Sequence, residues 1–477
     1  MELDATSSSH RRNVRPRRKT SDRLSSLPDE ILRIVVTFAT HTLREVLRLQ
    51  SINTHFRRAM RQSNKVWHLM VQLRDFSSVR LLGPLALGVH AVALRRIDQA
   101  ESLSCLPALN ILDMSYARLM GLPDVSSLTR LRSLNLEFCA NVERITSLPP
   151  QLQNLNVCGC SSLAHLPSEL PSLLTLNVRH CHQLVAIPSA PLLHLLDSLH
   201  CPAPLNENMD AICTIRACHQ EYYTLSNYPS LQTLSLSECA FDRTDFLTSL
   251  SNLTNLRLEM LKFGHFDLTG VSALVNLQKL EVEGMVTDAN LRSLEGLTRL
   301  QSLRLRSPQM TDEGMRSVAK LQELVSLELG CGHSVHVSYV GMRYLTLPKL
   351  TTLCLFACDM EDLRSLEGMV RLEHLIIFSS YRLRDLAPLA QLTKLKTVKL
   401  AYCDSVSTLS GLNRVPQLEI VDVSHCWDLQ RDGLWEMLPC KLSELVLNAH
   451  ARAQLGDGVQ EFHKRLRHGN PRVQLIF

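Results

Sequence analysis

An α/β solenoid of stacked, strand-bearing units is predicted by three observations. The phrase Leu-x-x-Leu-x-Leu recurs fifteen times between Leu109 and Leu442. Successive copies begin 20–26 residues apart, except for one gap of 38 between Leu193 and Leu231. Eight copies carry a cysteine at the same place, eight residues after the opening leucine. A period of this length marks a repeat architecture, in which each unit buries its apolar side only against its neighbours.

The elements follow in chain order. Residues 1–23, rich in Ser, Arg and Pro, hold too little apolar surface to order themselves and form a disordered basic tail. Within it, Arg15-Pro16-Arg17-Arg18-Lys19 reads either as a nuclear-localisation patch or as an ordinary solvated run. Residues 24–73 form a helical block. Pro28 suits a first helical turn, Asp29 and Glu30 favour the positive end of the helix dipole, and Ile31, Ile34, Val35 and Phe38 follow at helical spacing. Leu43, Val46 and Leu47 mark a second helix, Ile52, Phe56, Ala59 and Met60 a third, and Val66, Trp67 and Met70 close the block. Its core is too small to be comfortable alone.

Residues 74–477 are the repeats, and their pattern is that of a leucine-rich-repeat solenoid, a horseshoe with a C-terminal cap. Leucines two apart share one face of a strand, so each phrase gives one short strand, followed by a turn and a return segment. A weak copy at Val89, Val92 and Leu94 precedes the series, and a degenerate copy at Ile212, Ile215 and Ala217 divides the long gap into two of 19. Arg472–Phe477 supplies a last strand. Between Leu131 and Leu193 the units carry Leu148-Pro149 and Leu166-Pro167, which favour an extended return segment. Later units, with Thr287-Asp288 and Thr311-Asp312 ahead of helical patterns, should carry short helices on the outer face.

Composition narrows the function classes. At 45% apolar and 5% aromatic residues, the core is aliphatic. The net charge is +5, of which residues 1–23 supply +4, so the folded part is nearly neutral and nucleic-acid binding is not expected. No apolar run approaches the roughly 18 residues that span a bilayer, and a secretory signal is lacking. Fifteen cysteines, an odd count, fit a reducing compartment, so a cytoplasmic or nuclear location is expected.

The cysteines at Cys139, Cys160, Cys181, Cys201, Cys239, Cys358, Cys403 and Cys426 form a ladder where the chain leaves each strand. A small side chain with a weak S–H donor can pack inward there and reach turn carbonyls. Cys158 with Cys160, Cys331 with His333 and His336, and Cys213 with Cys218 and His219 lack the doubled spacing of a zinc site, so neither metal nor cofactor is expected. No GxSxG, GxxxxGK[ST] or HExxH occurs, and a non-catalytic protein is expected.

Between the strand leucines lie residues that face away from the core. Early units place Asn135, Asn156, Asn177 and Asp197 there, a hydrogen-bonded ladder; middle units place Arg257, Glu281, Arg304 and Glu328, alternating in sign as a mutually paired, solvated face. Later columns hold Cys354, Phe356, Ile376, Phe378, Tyr402 and His425. Such a cluster is either a substrate-binding patch or a set of rings tucked over neighbouring repeats.

The phrase Leu27-Pro28-Asp29-Glu30-Ile31-Leu32, followed by Leu43, Leu47, Phe56 and Val66-Trp67, resembles the F-box, with Phe38–Thr42 standing where a Leu-Pro is usual. The repeats with cysteine at the ninth position resemble the cysteine-containing leucine-rich repeats of F-box proteins, and the two likenesses together cover residues 25–477. The resemblance implies a substrate receptor of an SCF-type ubiquitin ligase. The F-box would dock on a Skp-type adaptor that links it to a cullin, and the repeats would hold a protein substrate. It assigns Leu27, Pro28, Ile31, Leu32, Leu43, Leu47 and Trp67 to the adaptor contact. The alternative is a scaffold or assembly factor whose helical block only caps the stack.

Overall fold

A computed structural model describes residues 71–72, 89–98, 103–206, 208–218, 222–239, 243–260, 267–330, 337–358, 360–437 and 441–477. The tail, nearly all of the helical block with its adaptor-contact residues, and Cys331, His333, His336 and His219 lie outside these residues. The chain divides into two compact units, Met1–Cys160 and Ser161–Phe477.

In the first unit, β1 (Val71–Gln72), β2 (Ala91–Ala93), β3 (Ile111–Asp113), β4 (Ser133–Asn135) and β5 (Asn154–Asn156) pair in parallel in chain order. The weak copy at Val89 is thus a true repeat, and Val71–Gln72 adds a strand that the leucine pattern does not announce. Leu112, Leu134 and Leu155 stand side by side in the register and are buried, as are Leu109, Leu131 and Leu152 at the head of each phrase.

The second unit continues the same plan with β6 (Thr175–Asn177), β7 (Leu195–Ser198), β8 (Thr214–Cys218), β9 (Thr233–Cys239), β10 (Asn255–Met260), β11 (Lys279–Glu283), β12 (Ser302–Arg306) and β13 (Ser326–Gly330). It ends with β14 (Thr352–Phe356), β15 (His374–Phe378), β16 (Thr397–Ala401), β17 (Ile420–Asp422), β18 (Glu444–Val446) and β19 (Gln474–Ile476). Within this unit, strands next to each other in the chain pair in parallel from β6 to β19, leucine opposite leucine through Leu280, Leu303, Leu327, Leu353 and Leu375. The degenerate copy at Ile212 is β8, and the expected closing strand is β19. This is the leucine-rich-repeat solenoid fold, its stability resting on ladders of fully buried Leu worth roughly 1.5–3 kcal/mol each.

Return segments differ as the sequence predicts. In the Leu-Pro units no helix forms, whereas α1 (Asp288–Arg292), α2 (Asp312–Val318) and α3 (Tyr339–Met342) follow the capping residues Thr287, Thr311 and Ser338. The Asp that opens a helix pins the next cap. Asp288 accepts from the Thr311 N–H at 3.0 Å and hydroxyl at 2.6 Å, and Asp312 accepts from both groups of Ser338 at 2.7 Å. Other later units use 3₁₀ turns instead, as at Asp245–Ser249 and Thr269–Ala273.

Among the described side chains of the cysteine ladder, Cys139, Cys160, Cys181, Cys201, Cys358, Cys403 and Cys426 are buried, as expected. Cys139 and Cys160 donate at 3.1 Å to Met114 O and Leu136 O, and Cys403 and Cys426 donate at 3.8 and 3.6 Å to Ile377 O and Leu400 O. In each case the acceptor is the carbonyl at the last leucine position of the preceding repeat. Burial pushes the thiols of Cys139, Cys201 and Cys403 up to about 11, and that of Cys426 higher still, so they stay protonated at neutral pH.

Candidate functional site

The exposed face of each sheet is built by three repeat positions. The fifth and seventh residues of the phrase point away from the core because the fourth and sixth point into it. In part of the repeats the eighth adopts a left-handed backbone, with φ between 53° and 59° at Arg96, Tyr116 and Phe138 in the first unit and at His180, His200, Glu238, Ala357, Ser379 and Tyr402 in the second. Gly159, at 74°, fills the same slot. A side chain in this conformation costs on the order of 1 kcal/mol. The turn is offset by the ladder it continues: the N–H groups of Phe138, Ala357 and Ser379 donate to the carbonyls of Cys158, Phe378 and Ala401 one repeat on, at 2.7, 2.8 and 2.8 Å. The rings in these slots are consequently held face to face. Tyr116 and Phe138 stack at 5.1 Å in the first unit, and His180 and His200 at 4.6 Å in the second.

The polar ladder at the fifth position exists as predicted. Asn135 donates to Asp113 at 3.1 Å and Asn156 to Asn135 at 2.9 Å, while each Oδ1 also caps the N–H two residues on, that of Glu137 or Cys158, at 3.1 Å. Asn177 makes the same local contact with the Arg179 N–H in the second unit.

The charged columns pair as the alternation of sign implies. Glu281 lies between Arg257 at 3.2 Å and Arg304 at 3.7 Å, with Lys279 at 2.7 Å, and Glu328 binds Arg304 at 2.7 Å and Arg306 at 2.8 Å. Burial raises the Glu281 pKa, but Lys279, Arg304 and Arg257 outweigh it and hold the carboxyl below its usual range. Beside this lattice a cavity of about 490 Å³ is lined by His200, Arg216, Glu238, Arg257 and Glu259 among others. At its edge the His200 Nδ1 lies 3.7 Å from Cys218 Sγ and 3.4 Å from Glu238 Oε2.

Of the expected substrate-binding residues, the register brings Cys354 beside Ile376 and Phe356 beside Phe378. The two phenylalanines stack at 4.6 Å with their planes 6° apart. The Arg306 guanidinium lies 5.2 Å from the Phe356 centroid, reaching past Gly330, where an added Cβ would come within 3.2 Å of the Arg306 side chain. Tyr402 and His425 stand one position later in their repeats and form a separate stack at 4.6 Å. Cys354 is buried instead of exposed. It is a short side chain flanked by Glu328 and Ile376, and burial, with the Glu328 charge, pushes its thiol up to about 12. Phe356, Ile376, Phe378 and His425 are half-buried, and Tyr402 is 47% exposed.

Two further aromatics escaped the sequence reading. Tyr381 is 60% exposed and Trp427 is 49% exposed, each two residues beyond the eighth position of its own repeat. The signal that could have found them is the same ninth- and tenth-position turn that carries the cysteine ladder. Together with Tyr402 they give three successive repeats an exposed ring. Among the described residues no helix is long and apolar enough to cross a membrane.

No protein-family model and no curated protein sequence matches the chain. Solved structures with a similar fold include an internalin from Listeria monocytogenes, 17% identical over 69% of this chain and 85% of that one, with a TM-score of 0.41. A leucine-rich-repeat protein of Leptospira interrogans is 16% identical over 87% of this chain and 91% of that one, with a TM-score of 0.40.

Proposed function

We propose that this chain is a non-catalytic protein receptor: the repeats from Leu350 onward hold a protein client, and the helical block docks on a Skp-type adaptor of a cullin ubiquitin ligase. The observation that carries the client surface is the column of stacked rings, Phe356 on Phe378 and Tyr402 on His425, bordered by exposed Tyr381 and Trp427. Stacked rings are already ordered, so a partner that covers them gains large apolar contact at little further entropy cost. Burial keeps the Cys354 and Cys403 thiols beside this surface protonated. The adaptor half of the proposal is supported by Leu27, Pro28, Ile31, Leu32, Leu43, Leu47 and Trp67 in the sequence.

A second reading, a scaffold whose helical block caps the stack, is favoured by β1. Val71 and Gln72, at the C-terminal end of the segment read as the block, pair with Val92 and Ala93, which supports a block that covers the first repeat. An immobilised Skp-type adaptor separates the two. Retention of the full-length chain, lost in a Leu27→Ala, Pro28→Ala double variant, supports the receptor. Failure of the wild-type chain to be retained leaves the scaffold. For the client surface, crosslinked partners from cell extract should fall by about tenfold or more in Phe378→Ala, as expected for a central interface aromatic.

A further inference from the structure

The contact between His200, Cys218 and Glu238 has a chemistry that an ion pair alone does not account for. The three residues come from three successive repeats of the second unit. His200 and Glu238 occupy left-handed slots, with φ of 58° and 55°, and Cys218 ends β8 between them. One ring nitrogen, Nδ1 of His200, faces both the Cys218 sulfur at 3.7 Å and the Glu238 carboxylate at 3.4 Å. All three donor atoms lie within 4.8 Å of one another. A tetrahedral zinc ion with donors at about 2.0–2.3 Å spaces its ligands about 3.3–3.8 Å apart, so the observed separations need only small closure.

We propose that His200, Cys218 and Glu238 form a three-ligand binding site for a divalent zinc-like cation. The donor set is one sulfur, one imidazole nitrogen and one carboxylate oxygen, which suits zinc above the hard cations that take oxygen alone. The ring plane is fixed before any ion arrives, because His180 stacks on His200 at 4.6 Å with an 8° tilt. The sulfur is oriented too: the His200 backbone N–H points at it, 3.1 Å away. Such outer contacts hold ligands in a binding geometry. Burial opposes a bare thiolate at Cys218, the His200 N–H favours it, and the carboxylates of Glu238 and Glu259 add to the opposition. The same carboxylates attract a dication, whose binding converts the thiol to thiolate and releases one proton to solvent. His200 and Glu238 line the open cavity of about 490 Å³, which leaves the fourth coordination position to water.

Cobalt(II) tests the site, because a cysteine ligand gives a sulfur-to-cobalt charge-transfer band in the near ultraviolet. The full chain, stripped with chelator, should bind one equivalent of Co2+ with this band, and Zn2+ should bleach it. Cys218→Ser should abolish the band. Glu238→Gln, at a half-exposed surface carboxylate, and His200→Gln should each weaken Co2+ binding by at least about tenfold, the scale on which even outer contacts act. Cys201→Ser and Cys213→Ser should leave the band in place. Circular dichroism of each variant checks that the repeats remain folded. Absence of the band in the wild-type chain, its persistence in Cys218→Ser, or undiminished binding by Glu238→Gln overturns the proposal.

Discussion

Thr244 is the clearest place to test how the return segments hold the repeats in register. Its side chain is fully buried at the start of a 3₁₀ turn. The hydroxyl donates to Asp267 O at 2.8 Å and accepts from the Gly270 N–H at 3.0 Å, one repeat further along. A Cβ on residue 270 would overlap the Thr244 carbonyl, so the two turns approach as closely as a glycine permits. Thr244→Val keeps the shape and removes both hydrogen bonds, leaving a backbone donor and acceptor without partners. At about 1–3 kcal/mol for each group, less about 1 kcal/mol gained from burying a methyl in place of a hydroxyl, the loss is about 1–5 kcal/mol. Thr244→Ser retains the hydroxyl and gives up one methyl, which costs about 1 kcal/mol. Urea denaturation gives the totals, and hydrogen exchange at the Gly270 amide localises them, which matters in a repeat chain that can open in parts. A Thr244→Val chain within about 0.5 kcal/mol of wild type, or no more labile at Gly270 than Thr244→Ser, would refute this account.

Two further outcomes follow from the same geometry. The ladder thiols of Cys139, Cys201 and Cys403, pushed up to about 11 by burial, should resist alkylation at neutral pH while exposed Cys105 reacts; mass spectrometry of briefly labelled native chain reads the order directly. Burial works against the charged form of Asp113, but the Ser115 N–H and hydroxyl and the Arg95 guanidinium outweigh it and hold the carboxyl below its usual range. A lowered native pKa means that this stabilisation is full above the unfolded value and disappears as pH falls through the native one. Below about pH 4, therefore, the wild-type chain should lose stability more steeply than Asp113→Asn.

The parts of the fold legible in the sequence are those specified within one repeat. Leu131, Leu134 and Leu136 fix a strand and its inward face by spacing alone, and Thr287 and Thr311 announce their helices because a cap and its helix are contiguous. The left-handed slot was not legible. Only Gly159 signals it, while Arg96, Tyr116, Phe138 and His180 adopt it because the N–H there is needed by the next repeat. Local propensity yields to a contact some twenty residues away, and among the rings of the proposed client surface Tyr402 depends on that concession.

The same distinction explains why the cation-binding cluster was misgrouped at the level of sequence. Proximity along the chain joined Cys218 to Cys213 and His219, yet Cys213 and Cys218 are separated by the length of β8, roughly 16 Å of extended chain. In a parallel stack the residues that meet are those one repeat apart at equal depth. His200, Cys218 and Glu238 are 18 and 20 residues from one another, a spacing set by the two short units around Ile212. A ligand set distributed one residue per repeat has no local motif to find. Where the period is irregular, as it is here, even the correct offset is hidden until the register of β7, β8 and β9 is known. An insertion in the return segment of the Ile212 unit that keeps the register of β8 should leave the three donors together, whereas a one-residue slip of β8 itself should carry Cys218 away from the other two. For this reason the degenerate repeat is better regarded as the element that assembles the site than as a decayed copy of its neighbours.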